Sequence, residues 1–532
     1  MGINSININI PDDILKERKT VEFKGEFALE PNGNIEGRKI TATFCGKNKK
    51  LSSIAESIEK TGLKDGMTIS FHHHFRAGDY IIRMVMKEIS NLGIKDLNLC
   101  VSSLTSAHEF LIDYIKDGTV TGIETSGIRG KLGEEISKGI MKKPVIIRSH
   151  GGRARAIEAG DTKIDVAFLG VPCSDEYGNA NGIHGKSQCG SLGYAIIDSK
   201  YADQVVLITD TIMPYPNVPA SISQQDVDYI VEVEEIGDPN GIASGATRFT
   251  KDPKELLIAK YASAVIEASG YLKDGFSIQA GTGGASLAVA RFLKEKMEEK
   301  NIKASFGLGG ISKQFVDLHE EGFIGTLFDV QGFDLKAVES IGKNNKHVEI
   351  DASLYANPHN KGCIANKLDI VILSALEVDK NFNVNVITGS DGYIRGASGG
   401  HSDTAAGAKL SMIVSPLVRG RIPTVVDKVN TVITPGESID VIVTERGVAI
   451  NDKLSKNKEL KERLESNKNI PILSIEELHE KALKITGTPE PIKYEDRVVG
   501  IVEYRDGSII DVIHKVKEDK KWTKRINFWW KY

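Results

Sequence analysis

Cysteine is scarce in this chain. Cys45, Cys100, Cys173, Cys189 and Cys363 are the only five in 532 residues, and no two form a CxxC pair. An odd, scattered set excludes a disulfide framework and fits free thiols in a reducing cytoplasm. Long apolar runs are missing too. The most apolar stretches, IDVAFLGVP and LDIVILSAL, suit buried strands and are too short to cross a bilayer. The first residues, MGINSININIPDDILKERK, lack the apolar centre of a signal peptide, and Ile6 stands where a myristoylation pattern needs Ser or Thr. No membrane partner is expected. An excess of basic charge is also absent: the net charge is −4 and the pI is near 6.4. That argues against a nucleic-acid binder held by bulk charge, and leaves room for a local cationic pocket.

What is present begins with length, which exceeds one core. The chain also repeats itself. LKDGMTI (63–69) returns as LKDGFSI (272–278), and KIDVAFLGVPCSDEYGNAN (163–181) aligns without gaps on KLDIVILSALEVDKNFNVN (367–385) at nearly the same offset. Two related domains are inferred, 41–250 and 251–515, with an N-terminal arm over 1–40 and a basic, aromatic tail over 516–532. In the first half, β-branched runs (MTISF, LNLCVS, VTGIET, PVIIRS, DVAFLG, QVVLIT) alternate with helical patterns such as 79–91 and 132–140. The predicted fold class is therefore α/β: two related open α/β domains from an internal duplication, each with parallel strands and helices on both faces. In such sheets ligands bind beyond the carboxyl ends of the strands.

FHHHFRAGD (71–79) lies at such an end. If residues 71–75 stay extended, His72 and His74 share one face and His73 points away. The triplet and Arg76 read as an anion pocket, as structural histidines, or as metal ligands, though adjacent histidines on a strand cannot all reach one ion. RSHGGRARAIEAGD (148–161) supplies Arg148, Ser149, His150, Gly151, Gly152 and Arg153 around a helix start, where guanidinium forks bind carboxylate or phosphate. The second half offers Gly281, Thr282, Gly283 and Gly284, then Gly307, Gly309 and Gly310 ahead of a helix. It also offers Gly396, Ser398, Gly399 and Gly400, with Asp403 in the following first turn. Glycine lets a backbone approach a ligand, and helix-start N–H groups attract anions. The same loops also serve as plain strand-to-helix turns. None is a Walker loop, and none has dinucleotide-binding spacing. GASGG fits the G-x-S-x-G letters, but so short a match in a glycine-rich loop carries little weight.

Together FHHHFRAGD, RSHGGRARAIEAG, KIDVAFLGVPCSDEYGNANG, GASGGHSDTAAGAKLSMIV and VIVTERGVAIN resemble the α-subunit family of citrate lyase, the citrate CoA-transferase subunits, over roughly residues 40–515. The wider CoA-transferase superfamily is similar in its paired α/β domains. The resemblance implies exchange of the acetyl group on an acyl-carrier thioester for citryl, with release of acetate. It implies a β subunit (citryl-ACP lyase) and a γ acyl carrier protein bearing a phosphoribosyl-dephospho-CoA arm, for which acetyl-CoA can substitute. It implies no cofactor bound covalently to this chain, no metal, a cytoplasmic hetero- and homo-oligomer, and a site between the halves. His72, His74 and Arg76 would then be catalytic donors. His73 and residues 148–153 would hold citrate, and the second-half glycine loops with Asp403, capping its own helix, would hold the CoA-like arm. Many superfamily members use a glutamate nucleophile. GFIGTLFDVQGFDLKAVES (322–340) offers Asp329 and Asp334 but no glutamate ahead of its helix, in agreement with what the resemblance implies: an acetyl-citrate anhydride with no covalent enzyme intermediate. The alternatives are a CoA-transferase or acyl-CoA hydrolase with a glutamyl thioester, a citramalate CoA-transferase, and a non-catalytic sugar-phosphate sensor.

Overall fold

The computed structural model describes residues 2–29, 37, 48–243, 250–281, 283–466 and 470–517. Thr282 and residues 518–532 of the tail lie outside the described residues.

The first half carries β1 (Lys50–Leu51), β2 (Thr68–Phe71), α1 (Ile81–Asn91), β3 (Leu97–Val101), β4 (Val120–Thr125), β5 (Val145–Ile147), α2 (His150–Glu158), β6 (Val166–Val171), α3 (Gly193–Tyr201), β7 (Gln204–Thr209) and β8 (Tyr229–Glu232). The second carries β9 (Phe276–Ala280), α4 (Gly284–Lys300), β10 (Ala304–Ile311), β11 (Ile324–Gly332), α5 (Leu335–Lys343), β12 (His347–Glu349), α6 (Ala352–Ala356), β13 (Ile370–Leu373), α7 (His401–Gly407), β14 (Leu410–Val414), β15 (Val441–Thr444) and β16 (Gly447–Ile450). A hairpin, β17 (Tyr494–Glu503) and β18 (Ile509–Val516), follows. All six strands expected in the first half form. The α/β class holds, with parallel pairing through most of both sheets and one antiparallel pair at an edge of each, β17–β18 and β15–β16. Buried on both faces, strands such as VAFLGV (β6) are apolar throughout.

The first sheet runs β18-β17-β5-β4-β3-β2-β6-β7-β8-β1 and the second β12-β11-β10-β9-β13-β14-β15-β16. The seven strands from β5 to β8 and the seven from β12 to β15 share one order. The repeated residues also make repeated bonds. Gly66 and Gly275 take φ of +83° and +81°, which the turn before each first strand requires of glycine. Beside them, Asp65 Oδ1 accepts from Lys95 N at 2.7 Å and Asp274 Oδ1 from Lys303 N at 2.9 Å. Asp165 and Asp369 likewise accept from Thr68 N and Ser277 N.

The hairpin lies on the first sheet, with β17 parallel to β5, although it follows the second half in sequence. The N-terminal segment packs there too: Phe23 N donates to Ile509 O, and Arg18 pairs with Glu503. The apolar core around the first sheet extends into the second half through Leu308, Val330 and Ile350. A second core, around Phe276, Ala288, Phe315 and Met412, lies within the second half. Among the described residues, no helix is long and apolar enough to cross a membrane.

Candidate active site

Strand order reverses between β2 and β6 in the first sheet, and between β9 and β13 in the second. A crevice opens at such switch points beyond the strand ends. FHHHFRAGD follows β2 directly, and the Gly281 loop follows β9 directly.

The strand ends at Phe71, yet His72 and His74 still lie on one side, with ring centroids 4.1 Å apart. Both face inward, and His74 is fully buried. His73 has a partner of its own: its Nδ1 lies 2.5 Å from Ser102 Oγ, and its ring stacks on Tyr194 at 5.2 Å. Tyr194, from α3, also packs against His150 at 4.5 Å and His74 at 5.8 Å. Burial lowers all four imidazoles, His72 to about 4 and His150 to about 3, with His73 and His74 well below the usual range. Without substrate they are neutral hydrogen-bonding groups.

Arg76 holds φ +52°, a conformation that costs about 1–3 kcal/mol outside glycine. Its N–H closes a turn onto His73 O at 2.9 Å, and its guanidinium lies 5.3 Å from the Phe333 ring centroid. Phe333 fits because residue 310 is glycine: a Cβ there would sit 2.0 Å from the ring.

The expected cationic contribution of α2 is corrected by its neighbours. Arg148 is fully buried between Glu503 (Nε to Oε2, 2.5 Å) and Glu124, and these carboxylates hold it charged against its burial. Arg153 makes a two-pronged bond to Asp198 at 2.8 and 2.9 Å. Both guanidiniums are committed inside the protein. The amides of Gly151 and Gly152 are committed as well, to Asp403 Oδ2 and Ser149 Oγ, both at 2.9 Å. Asp403 does not cap its own helix. It accepts from Ser149 Oγ at 2.7 Å and so caps α2 across the two halves. Burial pushes its carboxyl up to about 6, against Arg505, Gly151 and Ser149.

The glycine loops divide. Gly307, Gly309 and Gly310 lie inside β10 rather than in a loop, with a register shift between Gly309 and Gly310. Gly396 N and Ser398 N are taken by Ile387 O and Ser126 O. The Gly399 and Gly400 amides have no partner among the described residues. They lie against α2, where His150 N donates to Gly399 O at 2.8 Å and a Cβ on Gly399 would sit 3.8 Å from His150 Nε2. Gly283 begins α4 with no side-chain cap, and Ser286 Oγ lies 3.3 Å from Ser374 Oγ. Ser374 O in turn meets His401 Nε2 at 3.1 Å, so this loop adjoins the Gly399 loop.

Residues that sequence reasoning missed complete the cleft. Tyr194 lies in the first turn of α3 with no motif around it. Gln331 donates to His73 O at 3.0 Å from the second half. Arg129, in GIRG after β4, had the signal of a loop following a strand. Asp329 is buried against His347 Nε2 at 3.0 Å, and Asp334 caps α5 while accepting from Lys313 N at 2.6 Å. Neither is an open nucleophile. Among the described residues, no group of His, Cys, Asp or Glu side chains is arranged to hold a metal ion.

Two parallel α/β sheets meeting at a histidine-lined crevice define a CoA-transferase-like protein. Residues 47–516 match a family model described as citrate lyase, alpha subunit (CitF). The citrate lyase alpha chain of Klebsiella pneumoniae is 56% identical over 508 residues, 94% of this chain and 99% of that one. A Streptococcus mutans structure described as the alpha subunit of citrate lyase in complex with citrate is 59% identical, with TM-score 0.93, covering 97% of this chain and 100% of that one. A Pseudomonas malonate decarboxylase hetero-tetramer shares the fold alone, at 14% identity and TM-score 0.62, over 82% and 86% of the chains. The chain belongs to the citrate lyase alpha-subunit family, the citrate CoA-transferase type.

Proposed function

We propose that this chain exchanges the acetyl group of a carrier thioester for citryl without forming a covalent bond to it. A citrate carboxylate oxygen attacks the acetyl carbonyl carbon. The C–S bond breaks, and the thiolate leaves an acetyl-citrate anhydride. The thiolate then attacks the citryl carbonyl, the anhydride C–O bond breaks, and acetate departs. A carboxylate needs no general base. The site must instead orient two reactants, worth about 7–11 kcal/mol, and stabilise each oxyanion, worth about 3–4 kcal/mol per good donor.

The observation that carries this reading is the facing pair of neutral His150 and the open Gly399–Gly400 amides, one from each half. These are uncharged donors suited to an oxyanion. The engagement of Asp329 and Asp334 supports a route without an enzyme acyl group. The Gly281–Gly284 loop at the start of α4 would take the phosphates of the arm. The family supports membership of a cytoplasmic citrate lyase complex with β and γ subunits, the latter supplying the phosphoribosyl-dephospho-CoA arm. Matching strand orders and matching turn bonds support an internal duplication.

The test incubates the purified chain with acetyl-CoA and citrate or citramalate, followed by mass spectrometry. Citryl-CoA and acetate are expected, with no label on the protein after borohydride. Reductive trapping of an acylated carboxylate would replace the anhydride route with a glutamyl-type intermediate.

A further inference from the structure

Arg76 and Arg129 form a pair of cations in the cleft with no carboxylate to answer them. Arg76 is buried, and its guanidinium has only Ile242 O, at 3.3 Å, and the Phe333 face. Arg129 has no side-chain partner at all among the described residues. The two loops are tied to one segment: Arg129 N donates to Leu104 O at 3.1 Å, and Thr105 Oγ1 donates to Arg76 O at 3.4 Å. Asp79, the acid three residues beyond Arg76, is engaged by Ile82 N and His108 Nε2. Burial first, then the charge of Arg129, pushes the Arg76 guanidinium down to about 10. Every other arginine of the first-half site, Arg148 and Arg153, is neutralised. A folded chain keeps a buried, unanswered guanidinium beside a second unanswered one only at a cost that an anionic ligand removes.

Resting on the reading above, we infer that Arg76 and Arg129 count carboxylates and select a tricarboxylate over a dicarboxylate. Citrate has three, one of which is consumed as the nucleophile. Two remain, and two free guanidiniums await them, each able to grip a carboxylate with two N–H groups. Arg76, the deeper and the one beside Tyr194, holds the carboxylate that citrate and citramalate share. Arg129, which reaches solvent, holds the carboxylate that citramalate lacks. A site built for a charged group rejects the analogue without it, because its own donor is left unpaired.

The experiment measures KM and kcat for citrate, citramalate and acetyl-CoA in the wild type, Arg129→Ala and Arg129→Lys, using the exchange assay on the full chain. For Arg129→Ala the citrate KM is expected to rise about 10–100-fold, the range of a lost charged hydrogen bond. The citramalate KM should change less than about threefold, so that preference for citrate collapses. Lysine should restore part of it. Arg129 is exposed, so the melting temperature should stay put. Equal loss on both acids, or a rise confined to the acetyl-CoA KM, would overturn the inference and assign the pair to the shared carboxylate or to the arm's phosphates. If the wild type makes no citryl-CoA, the reading of the reaction falls first. If it does and the citrate-to-citramalate ratio survives in Arg129→Ala, only the selection by Arg129 falls.

Discussion

Asp403 and Ser149 lie 254 residues apart, yet the Ser149 hydroxyl donates to Asp403 Oδ1 at 2.7 Å. One carboxylate thereby joins the halves and fixes the first turn of α2, the turn that presents His150. Asp403→Ala should destabilise the chain by about 2–4 kcal/mol. It strands the Ser149 hydroxyl, the Gly151 N–H and the nearby Arg505 guanidinium in a buried place. It should also lower kcat more than it raises the citrate KM, because His150 is displaced from Gly399 without losing a substrate contact. Denaturant midpoints and steady-state exchange, measured side by side, check both.

The buried histidines set an acid limit. His72 and His150 are held at about 4 and about 3, below an unfolded value near 6.5. Between pH 6.5 and 4 the unfolded chain therefore binds protons that the native chain refuses. Native stability from these groups is complete above about pH 6.5 and declines as the pH falls. Urea midpoints taken at pH 7, 6 and 5 should drop, and they should drop less in His72→Gln. Asp403, pushed up to about 6, works in the opposite sense, so the difference between wild type and variant carries the answer.

Arg153 holds structure. Its two bonds to fully buried Asp198 make Arg153→Ala a loss of about 3–5 kcal/mol, mostly from an abandoned buried carboxylate. The assignment of Arg153 to citrate, which the family resemblance implies, leads to the reverse expectation, a large loss of exchange with little loss of stability. Replacing both partners, Arg153→Met with Asp198→Leu, should recover much of the melting temperature. A single variant that melts normally but no longer uses citrate would return Arg153 to the substrate.

That reversal shows where sequence reasoning stops. The strands were legible because burial on both faces leaves unbroken β-branched runs, and LKDG was legible because the turn before β2 and β9 demands the same Asp and Gly. A βα end such as FHHHFRAGD is placed by topology, so its position could be read without knowing any contact. What answers an arginine could not. Asp198 is a helical residue 45 positions from Arg153, and Glu503 arrives from the hairpin 355 positions after Arg148. Nothing local marks either acid as a partner, so four arginines near one cleft look alike until the pairs are seen. Asp403 misleads for a related reason: a first-turn aspartate caps its own helix by default, and only the contact between halves gives it another. FGLGG misleads because glycines in a strand serve a bulge and a close approach as readily as a loop.

Gly310 is the close approach with the most direct consequence for the site. It lets the outer atoms of the Phe333 ring come close to β10, and Phe333 is the surface on which Arg76 rests. Gly310→Ala places a methyl carbon about 2 Å from that ring, so the ring must turn away. An overpacked contact of this kind costs about 1–3 kcal/mol. Arg76, already strained at φ +52°, then loses its support while keeping its charge. The citrate KM should rise by about tenfold, with a small change in the acetyl-CoA KM. Phe333→Leu in the Gly310→Ala background, which removes ring atoms from the clash, should restore stability before it restores citrate binding. If the single variant binds citrate normally, Arg76 is positioned by its own backbone turn, and Phe333 is packing alone.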